Sequence, residues 1–168
     1  MGTGVAVLTG LAELVSAAVA ANITVATAES LTGGMVAATL VQVPGSSAML
    51  QGGIIAYQNS LKETLLGVPA WLLEARGAVD PEVACAMALG ACAAAGSRVG
   101  ISTTGVAGPE PHQGKEVGHV YIGVALDGEA QSYEYHFAGD REMIRVAATQ
   151  EAISLLEQVI KAAGEQKL

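Results

Sequence analysis

The chain has 168 residues, of which 51% are hydrophobic and 14% are charged, and this composition excludes an intrinsically disordered protein. Sixteen acidic residues against eight basic ones give a formal net charge of −8, the wrong sign for a protein that binds nucleic acid through its phosphates. No run of about 18 strongly apolar residues is uninterrupted, and the N-terminal stretch 1–9 contains neither Lys nor Arg, so neither a membrane span nor a secretory signal is predicted. We therefore expect one cytoplasmic domain over residues 1–168, without a membrane or nucleic-acid partner.

The first third of the chain alternates helix and strand. Apolar residues at helical spacing predict a helix over about 4–21, which Asn22 ends. A β-branched run predicts a strand over 23–27, followed by a turn and then a helix to about Gln42. Residues 52–57 predict a second strand, apolar enough to be buried on both faces.

The remaining two thirds begin with two helices and end with a hairpin and a long helix. Residues 60–63 have the capping-box spacing that begins a short helix, and Asp80 followed by Pro81 begins a longer helix that ends near Ala95. Asp140 is predicted to cap the final helix. Three further strands are predicted over 99–103, 117–126 and 130–137, the last two joined by the tight turn Asp127-Gly128.

This order of elements predicts the α/β class, as a three-layer α/β/α sandwich on a mixed sheet of about five strands. Residues 105–118 form the longest stretch without a predicted element, and a loop of that length in a compact domain is usually functional or mobile. Cys85 and Cys92 lie two turns apart on one predicted helix, so we expect two buried free thiols and no disulfide between them. Two thiols without a nearby pair of histidines do not predict a metal site.

Most standard catalytic motifs are absent from the sequence. It contains no P-loop, no GxGxxG and no HExxH, and its three histidines are scattered, so a Ser-His-Asp triad is not favoured. The remaining candidates are small polar residues at the ends of predicted strands.

Two turns rich in Gly and Ser are candidate anion sites. Ser30 lies where the first strand meets a helix and is followed by Thr32 and Gly33, a position where backbone N–H groups can hold an anion or an oxyanion. The alternative interpretation of Ser30 is a cap of the following helix. Gly45-Ser46-Ser47 forms a second such turn, with an ordinary polar turn as the alternative.

Lys62 is the candidate base. It follows Tyr57 by five residues and lies in the first turn of a predicted helix, where the helix dipole disfavours a cation. The dipole and partial burial would lower its pKa and leave a neutral amine that accepts a proton. A Ser–Lys pair with a Tyr hydroxyl nearby is a workable hydrolytic arrangement, and a solvated lysine is the alternative.

Two further candidates lie later in the chain. Thr104 and Gly105 end the third predicted strand, and strand ends in open α/β sheets converge on ligand crevices. Arg141 begins the last helix and is a candidate to bind a phosphate group. The alternative is an arginine that contacts only solvent.

Four blocks of sequence resemble the CinA C-terminal domain, the nicotinamide-nucleotide amidohydrolase family. They occur in family order and cover nearly the whole chain. The blocks are AESLTGG at 28–34; GSS at 45–47 with GIIAYQN at 53–59, Lys62 and LGV at 66–68; TGVAGP at 104–109 with VG at 117–118; and FAGDR at 137–141.

The resemblance implies hydrolysis of the carboxamide of nicotinamide mononucleotide, giving nicotinic acid mononucleotide and ammonia. It also implies an α/β/α fold, no cofactor, and a homodimer or higher oligomer. The chain looks like the stand-alone form of the family, without an additional N-terminal domain. By motif position, Ser30 would be the nucleophile, Lys62 its base and Tyr57 an aid to proton transfer. The other implied roles are binding of substrate or oxyanion by Ser47 and Thr104, and of phosphate by Arg141.

The sequence also departs from the family pattern. Residues 109–116 differ from the usual loop, and Leu31 and His119 stand where Cys and Thr are common. Two competing hypotheses therefore accompany the amidase: a nucleotide-binding regulatory domain without turnover, and an amidase for a different carboxamide.

Overall fold

The computed structural model describes residues 3–166, and side chains from residue 10 onward. Helices and strands alternate in the first part of the chain, and an antiparallel hairpin and a long helix complete it. The helices are α1 (Thr3–Ala20), α2 (Met35–Leu40), α3 (Asn59–Leu66), α4 (Ala70–Arg76), α5 (Pro81–Ala95) and α6 (Arg141–Glu165), with a 3₁₀ turn at Ser46–Ala48. The strands are β1 (Val25–Glu29), β2 (Leu50–Ile55), β3 (Val99–Gly105), β4 (His119–Leu126) and β5 (Glu129–His136).

The five strands form one mixed sheet in the order β2-β1-β3-β4-β5, with helices on both faces. β1 runs parallel to β2 and β3, whereas β4 is antiparallel to both of its neighbours. Successive residues of β1 point to opposite faces. Val25 packs with Leu14 of α1 and Leu156 of α6, and Ala26 packs with Met87 of α5. The predicted α/β class, three layers and mixed sheet of five strands are confirmed.

Helix α5 approaches the sheet closely because glycines face it. A Cβ at Gly100 of β3 would collide with the carbonyl oxygen of Ala88, and one at Gly123 of β4 with that of Ala84. Ser102 between them donates to the same Ala84 oxygen at 2.6 Å. The close contact fixes the N-terminal end of α5, and with it the segment before Asp80, beside the end of β3.

The predicted helix ends are confirmed at three places. Asp80 Oδ1 accepts hydrogen bonds from the first-turn N–H groups of Glu82 and Val83 at 2.8 and 3.3 Å. Asp140 Oδ1 accepts from Met143 N at 2.9 Å. Asn22 follows α1 in the left-handed region, at φ 54°.

Strand β2 differs from its prediction. It lies at the edge of the sheet, and its residues are half-buried and exposed in alternation rather than buried on both faces. Its apolar sequence indicated a central strand, but an edge strand also buries one face. It spans 50–55 rather than 52–57, and β1 likewise lies two residues from the predicted 23–27.

The helices between β2 and β3 also differ from the prediction. Helix α4 was not predicted, because seven residues after a proline give too little periodic signal. Helix α3 begins at Asn59, its N-cap is Gln58, and no side chain caps it, so the capping box predicted at Ser60 is wrong.

Cys85 and Cys92 are free, as predicted, but half-buried rather than buried. Residues 106–118 contain no helix or strand, only a bridge between His112 and Lys115. No helix within residues 3–166 is both long and apolar enough to cross a bilayer.

Candidate active site

A cleft of about 460 Å³ lies beyond the carboxyl ends of β1 and β3. The end of the parallel strands, the beginning of α3, the segment before α5 and the loop after β3 form its walls. Six of the predicted site residues line it: Ser30, Tyr57, Lys62, Thr104, Gly105 and Arg141. The parallel half of the sheet therefore brings together residues that are far apart in sequence.

Ser30 lies directly after β1 and is only 8% exposed. Its N–H donates to Thr103 O at 3.0 Å, which continues the pairing of β1 with β3 by one residue. Helix α2 begins five residues later, at Met35, with Gly34 as its N-cap and no side-chain cap. The interpretation of Ser30 as a helix cap is therefore wrong, and its hydroxyl is available to the cleft.

A buried carboxylate holds the turn that carries Ser30. Glu29 is 1% exposed, and its Oε1 accepts from Thr32 Oγ1 at 2.7 Å and from Val36 N at 2.8 Å. Its Oε2 accepts from Ala37 N at 3.2 Å, at the positive end of α2. Glu29 belongs to the AESLTGG block, but the motif resemblance implies no role for it. An acid between an apolar strand and a helix start is the signal that could have found it.

Arg145 of α6 supports the same turn from the other side. Its Nε donates to Leu31 O at 2.8 Å and its Nη2 to Thr32 O at 3.4 Å. Thr32 O also accepts from Met35 N at 3.0 Å, whereas Arg145 Nε is the donor that the structure gives Leu31 O. The sequence does not indicate this role of Arg145, because nothing along the chain links it to the turn.

Lys62 is 1% exposed, so the interpretation as a solvated lysine is wrong. Its Nζ donates to Ser30 Oγ at 3.1 Å, to Ala56 O at 2.9 Å and to Tyr57 O at 3.3 Å. No carboxylate within residues 3–166 forms an ion pair with it. Burial lowers the pKa of Lys62 from 10.5 to about 8.

The partners of Lys62 suit a neutral amine. Two N–H bonds of an uncharged –NH₂ group satisfy the carbonyl oxygens of Ala56 and Tyr57. Its lone pair then faces the Ser30 hydroxyl, which becomes the donor. When Lys62 loses one proton, its nitrogen therefore becomes the acceptor of the hydrogen bond from the Ser30 hydroxyl.

Tyr57 and Arg141 form the outer rim of the cleft. Tyr57 follows β2 rather than ending it and is 54% exposed. Arg141 Nη2 donates to Tyr57 Oη at 3.0 Å, and its Nη1 donates to Gly108 O at 2.6 Å. The guanidinium group is exposed but held in place, so the purely solvated alternative does not describe it.

Thr104 and Gly105, at the end of β3, also line the cleft. Thr104 is 1% exposed, and its Oγ1 donates to Ala78 O at 2.6 Å, so its hydroxyl proton is already used. Toward a ligand this oxygen can act as an acceptor. A Cβ at Gly105 would collide with Val120 and His119 O on β4, which explains the glycine.

Five predicted binding residues do not line the cleft of this chain. Thr32 is fully buried and bonds to Glu29 and Thr103, so it shapes the Ser30 turn instead. Gly33 completes that turn at φ 56°. Gly45, Ser46 and Ser47 lie at the amino end of β2, so they are at the opposite end of the parallel strands from the cleft. A role for them in substrate binding remains a prediction, and it requires a second copy of the chain.

Comparison with known proteins identifies the family. The sequence profile of the CinA C-terminal domain matches residues 9–160. The chain belongs to this family. CinA-like proteins of Anaeromyxobacter dehalogenans and Frankia casuarinae are 46% and 42% identical over 140 and 137 residues, each 82% of this chain. The matched regions cover 34% and 32% of those relatives, so the chain spans about a third of their length.

Solved structures of CinA proteins have the same fold. A competence-damaged protein (CinA) superfamily protein of Klebsiella pneumoniae superposes with a TM-score of 0.89 at 27% identity, covering 93% of this chain and 98% of that one. One from Escherichia coli superposes with a TM-score of 0.87 at 30% identity and covers 90% of both chains. The CinA fold therefore extends over nearly all of this sequence.

Proposed function

We propose that this protein hydrolyses the carboxamide of nicotinamide mononucleotide, giving nicotinic acid mononucleotide and ammonia. The observation that carries the proposal is the 3.1 Å contact between Lys62 Nζ and Ser30 Oγ at the floor of the cleft. The motif resemblance supplies the substrate, and the lowered pKa of Lys62 supplies a base near neutral pH.

The first half of the reaction forms an acyl-enzyme. Neutral Lys62 accepts the hydroxyl proton of Ser30 as Oγ bonds to the carboxamide carbon and the C=O electrons move to oxygen. The N–H of Leu31 makes no hydrogen bond within residues 3–166 and follows the nucleophile at the cleft wall, so it is our candidate oxyanion donor. Lys62 then passes the proton to the departing nitrogen, the C–N bond breaks and ammonia leaves.

The second half releases the acid. A water molecule gives a proton to Lys62 and attacks the ester carbon, and the bond to Ser30 Oγ breaks as that oxygen regains a proton from Lys62. Lys62 is neutral again, and the product is a carboxylic acid that ionises in water. One water molecule is consumed, and no external oxidant or metal ion takes part in these steps.

Arg141 is the proposed contact for the phosphate. It lies at the rim of a cleft whose floor holds Lys62, and its guanidinium group is already oriented by Tyr57 and Gly108. Planar guanidinium groups bind phosphate through two parallel hydrogen bonds. A cation placed there offers a local positive site in a chain of net charge −8.

Ammonia release from nicotinamide mononucleotide tests the proposal. We expect Ser30→Ala to lower turnover at least about 1000-fold, since it removes the attacking atom. Ser154→Ala, on the exposed face of α6, is the matched control and should retain full activity. Calorimetry should show that the Ser30→Ala protein still binds the nucleotide.

Other outcomes would separate the alternatives. Turnover by Ser30→Ala close to that of the unaltered protein would exclude Ser30 as the nucleophile. Binding without any ammonia from the unaltered protein would favour a regulatory nucleotide-binding domain. Ammonia from other carboxamides but not from the mononucleotide would favour an amidase with a different substrate.

A further inference from the structure

A second group of chemically active side chains lies on the β4–β5 hairpin, outside the cleft. His119 begins β4 and pairs directly with His136, which ends β5. Glu134 lies two residues before His136 and points to the same face of the sheet. His119 Nε2 lies 2.7 Å from Glu134 Oε1, and His136 Nε2 lies 3.4 Å from the same oxygen. The ligand atoms of the three residues all lie within 4.8 Å of one another.

These distances suit a small divalent cation. Zinc binds imidazole nitrogen and carboxylate oxygen at about 2.0–2.2 Å, so tetrahedral ligand atoms lie about 3.3 Å apart. The separations of 2.7 and 3.4 Å bracket that value, so the carboxylate oxygen lies near ligand spacing from both imidazole nitrogens. Two imidazoles and one carboxylate favour zinc over calcium or magnesium, which prefer oxygen ligands.

Neighbouring side chains hold the ligand atoms of the cluster in place, and two of its three residues are open to solvent. Tyr121 Oη donates to Glu134 Oε1 at 3.1 Å and holds the carboxylate beside His119. The His119 and His136 rings pack with centroids 4.4 Å apart. His119 is 8% exposed, whereas Glu134 and His136 are exposed, so solvent can reach the site and complete the coordination.

We propose that His119, Glu134 and His136 form a zinc site with a water molecule as the fourth ligand. The sequence does not predict this site, because residues 119, 134 and 136 come together only through the pairing register of the hairpin. Binding would replace the contact between His119 Nε2 and Glu134 Oε1 with bonds from both atoms to the ion.

The position of the site indicates a structural role. His119 O accepts from Val106 N at 2.9 Å, and Gly118 N donates to Val106 O at 2.8 Å. These bonds close the loop 106–118, part of which lines the cleft. An ion on His119 would tie the closed end of this loop to β5. The inference does not depend on the proposed amidase activity.

Calorimetric titration of the metal-free protein with Zn²⁺ tests the site. We expect one ion per chain and a higher unfolding temperature in its presence. His136→Ala should weaken binding at least tenfold, and Glu134→Gln should do the same, while both proteins keep the unaltered circular dichroism spectrum. His112→Ala removes the one histidine of the chain that lies outside the proposed site. It is the matched control and should bind Zn²⁺ normally.

A spectroscopic probe identifies the ligands. Cu²⁺ binds such sites more tightly than Zn²⁺ and reports its nitrogen ligands by paramagnetic resonance. We expect hyperfine structure from two imidazole nitrogens, reduced to one in His136→Ala. The proposal is overturned if the unaltered protein does not bind Zn²⁺, or if His136→Ala and Glu134→Gln bind it as the unaltered protein does.

Discussion

The two Gly/Ser turns of this chain have similar sequences and opposite positions. The first turn, residues 30–34, follows the carboxyl end of β1, and Ser30 lies on the floor of the cleft. The second turn, residues 45–47, precedes the amino end of β2. Because β1 and β2 are parallel neighbours, the two turns lie at opposite ends of these strands, roughly 20 Å apart along six residues of strand.

The surroundings of the two turns differ as much as their positions. The carboxylate of Glu29, the guanidinium group of Arg145 and the Thr103 carbonyl hold the first turn. The second turn is held by backbone hydrogen bonds between residues close in sequence, such as the one from Ser46 N to Val43 O at 3.1 Å. Ser47 is exposed. Small polar residues thus predict a turn, while the chemistry depends on what packs against it.

After the loss expected for Ser30→Ala, the next largest effect follows from pH, because the amine of Lys62 contacts Ser30 of the first turn. With a pKa of about 8, about 1% of Lys62 is neutral at pH 6 and about half at pH 8. We expect kcat/KM to rise about fiftyfold over this range and to level off above pH 9. Steady-state ammonia release measures the profile. A flat profile, or an inflection at the ordinary pKa of histidine, would contradict the role of Lys62.

Glu29→Gln should loosen the first turn without touching the nucleophile. The amide –NH₂ would face donors that now bond to a carboxylate oxygen, at a cost of about 2 kcal/mol in the free energy of unfolding. We expect about tenfold lower turnover as Ser30 loses its position. Glu129→Gln on exposed β5 is the matched control, and urea unfolding with the ammonia assay gives both readings. Unchanged stability would show that Glu29 does not hold the turn.

The smallest expected effect concerns the second turn. If a second copy brings Ser47 to the cleft, as the predicted homodimer and the predicted role of Ser47 together require, Ser47→Ala removes one hydrogen bond to substrate. A loss of about 1 kcal/mol corresponds to about fivefold lower kcat/KM.

Mixing two inactive or weakened proteins would decide whether the site is shared. In a heterodimer of Ser30→Ala and Ser47→Ala chains, one of the two clefts would contain both serines. Subunit exchange should therefore raise the activity above the average of the separate variants. If Ser47→Ala is fully active, the second turn has no part in the site.

The fold was predictable where the periodic signal was long. Alternating elements and the hairpin turn fixed the α/β class, and Asp80 and Asp140 cap the helices predicted for them. The edge position of β2 was not predictable, because a strand that buries one face and a central strand both contain many apolar residues. Its place depends on pairing with β1, which is a tertiary property.

The site was predictable where short motifs coincide with strand ends. Ser30, Lys62 and Thr104 all reach the cleft because each lies beside the carboxyl end of a parallel strand or the helix after it. Glu29 and Arg145 could not be assigned in this way. Several of their partners are backbone atoms, such as Val36 N for Glu29 and Leu31 O for Arg145, which become neighbours only in the folded chain.

Burying Lys62 also lowers the stability of the folded domain at neutral pH. Its pKa is about 8 in the folded chain against 10.5 ordinarily, so the unfolded chain holds more protons between these values and stability rises with pH across that window. Below pH 8 the domain lacks this contribution, about 3 kcal/mol in total. Selection for thermal stability at neutral pH would therefore favour an apolar residue at position 62. The variants with the highest unfolding temperature would then have the lowest activity.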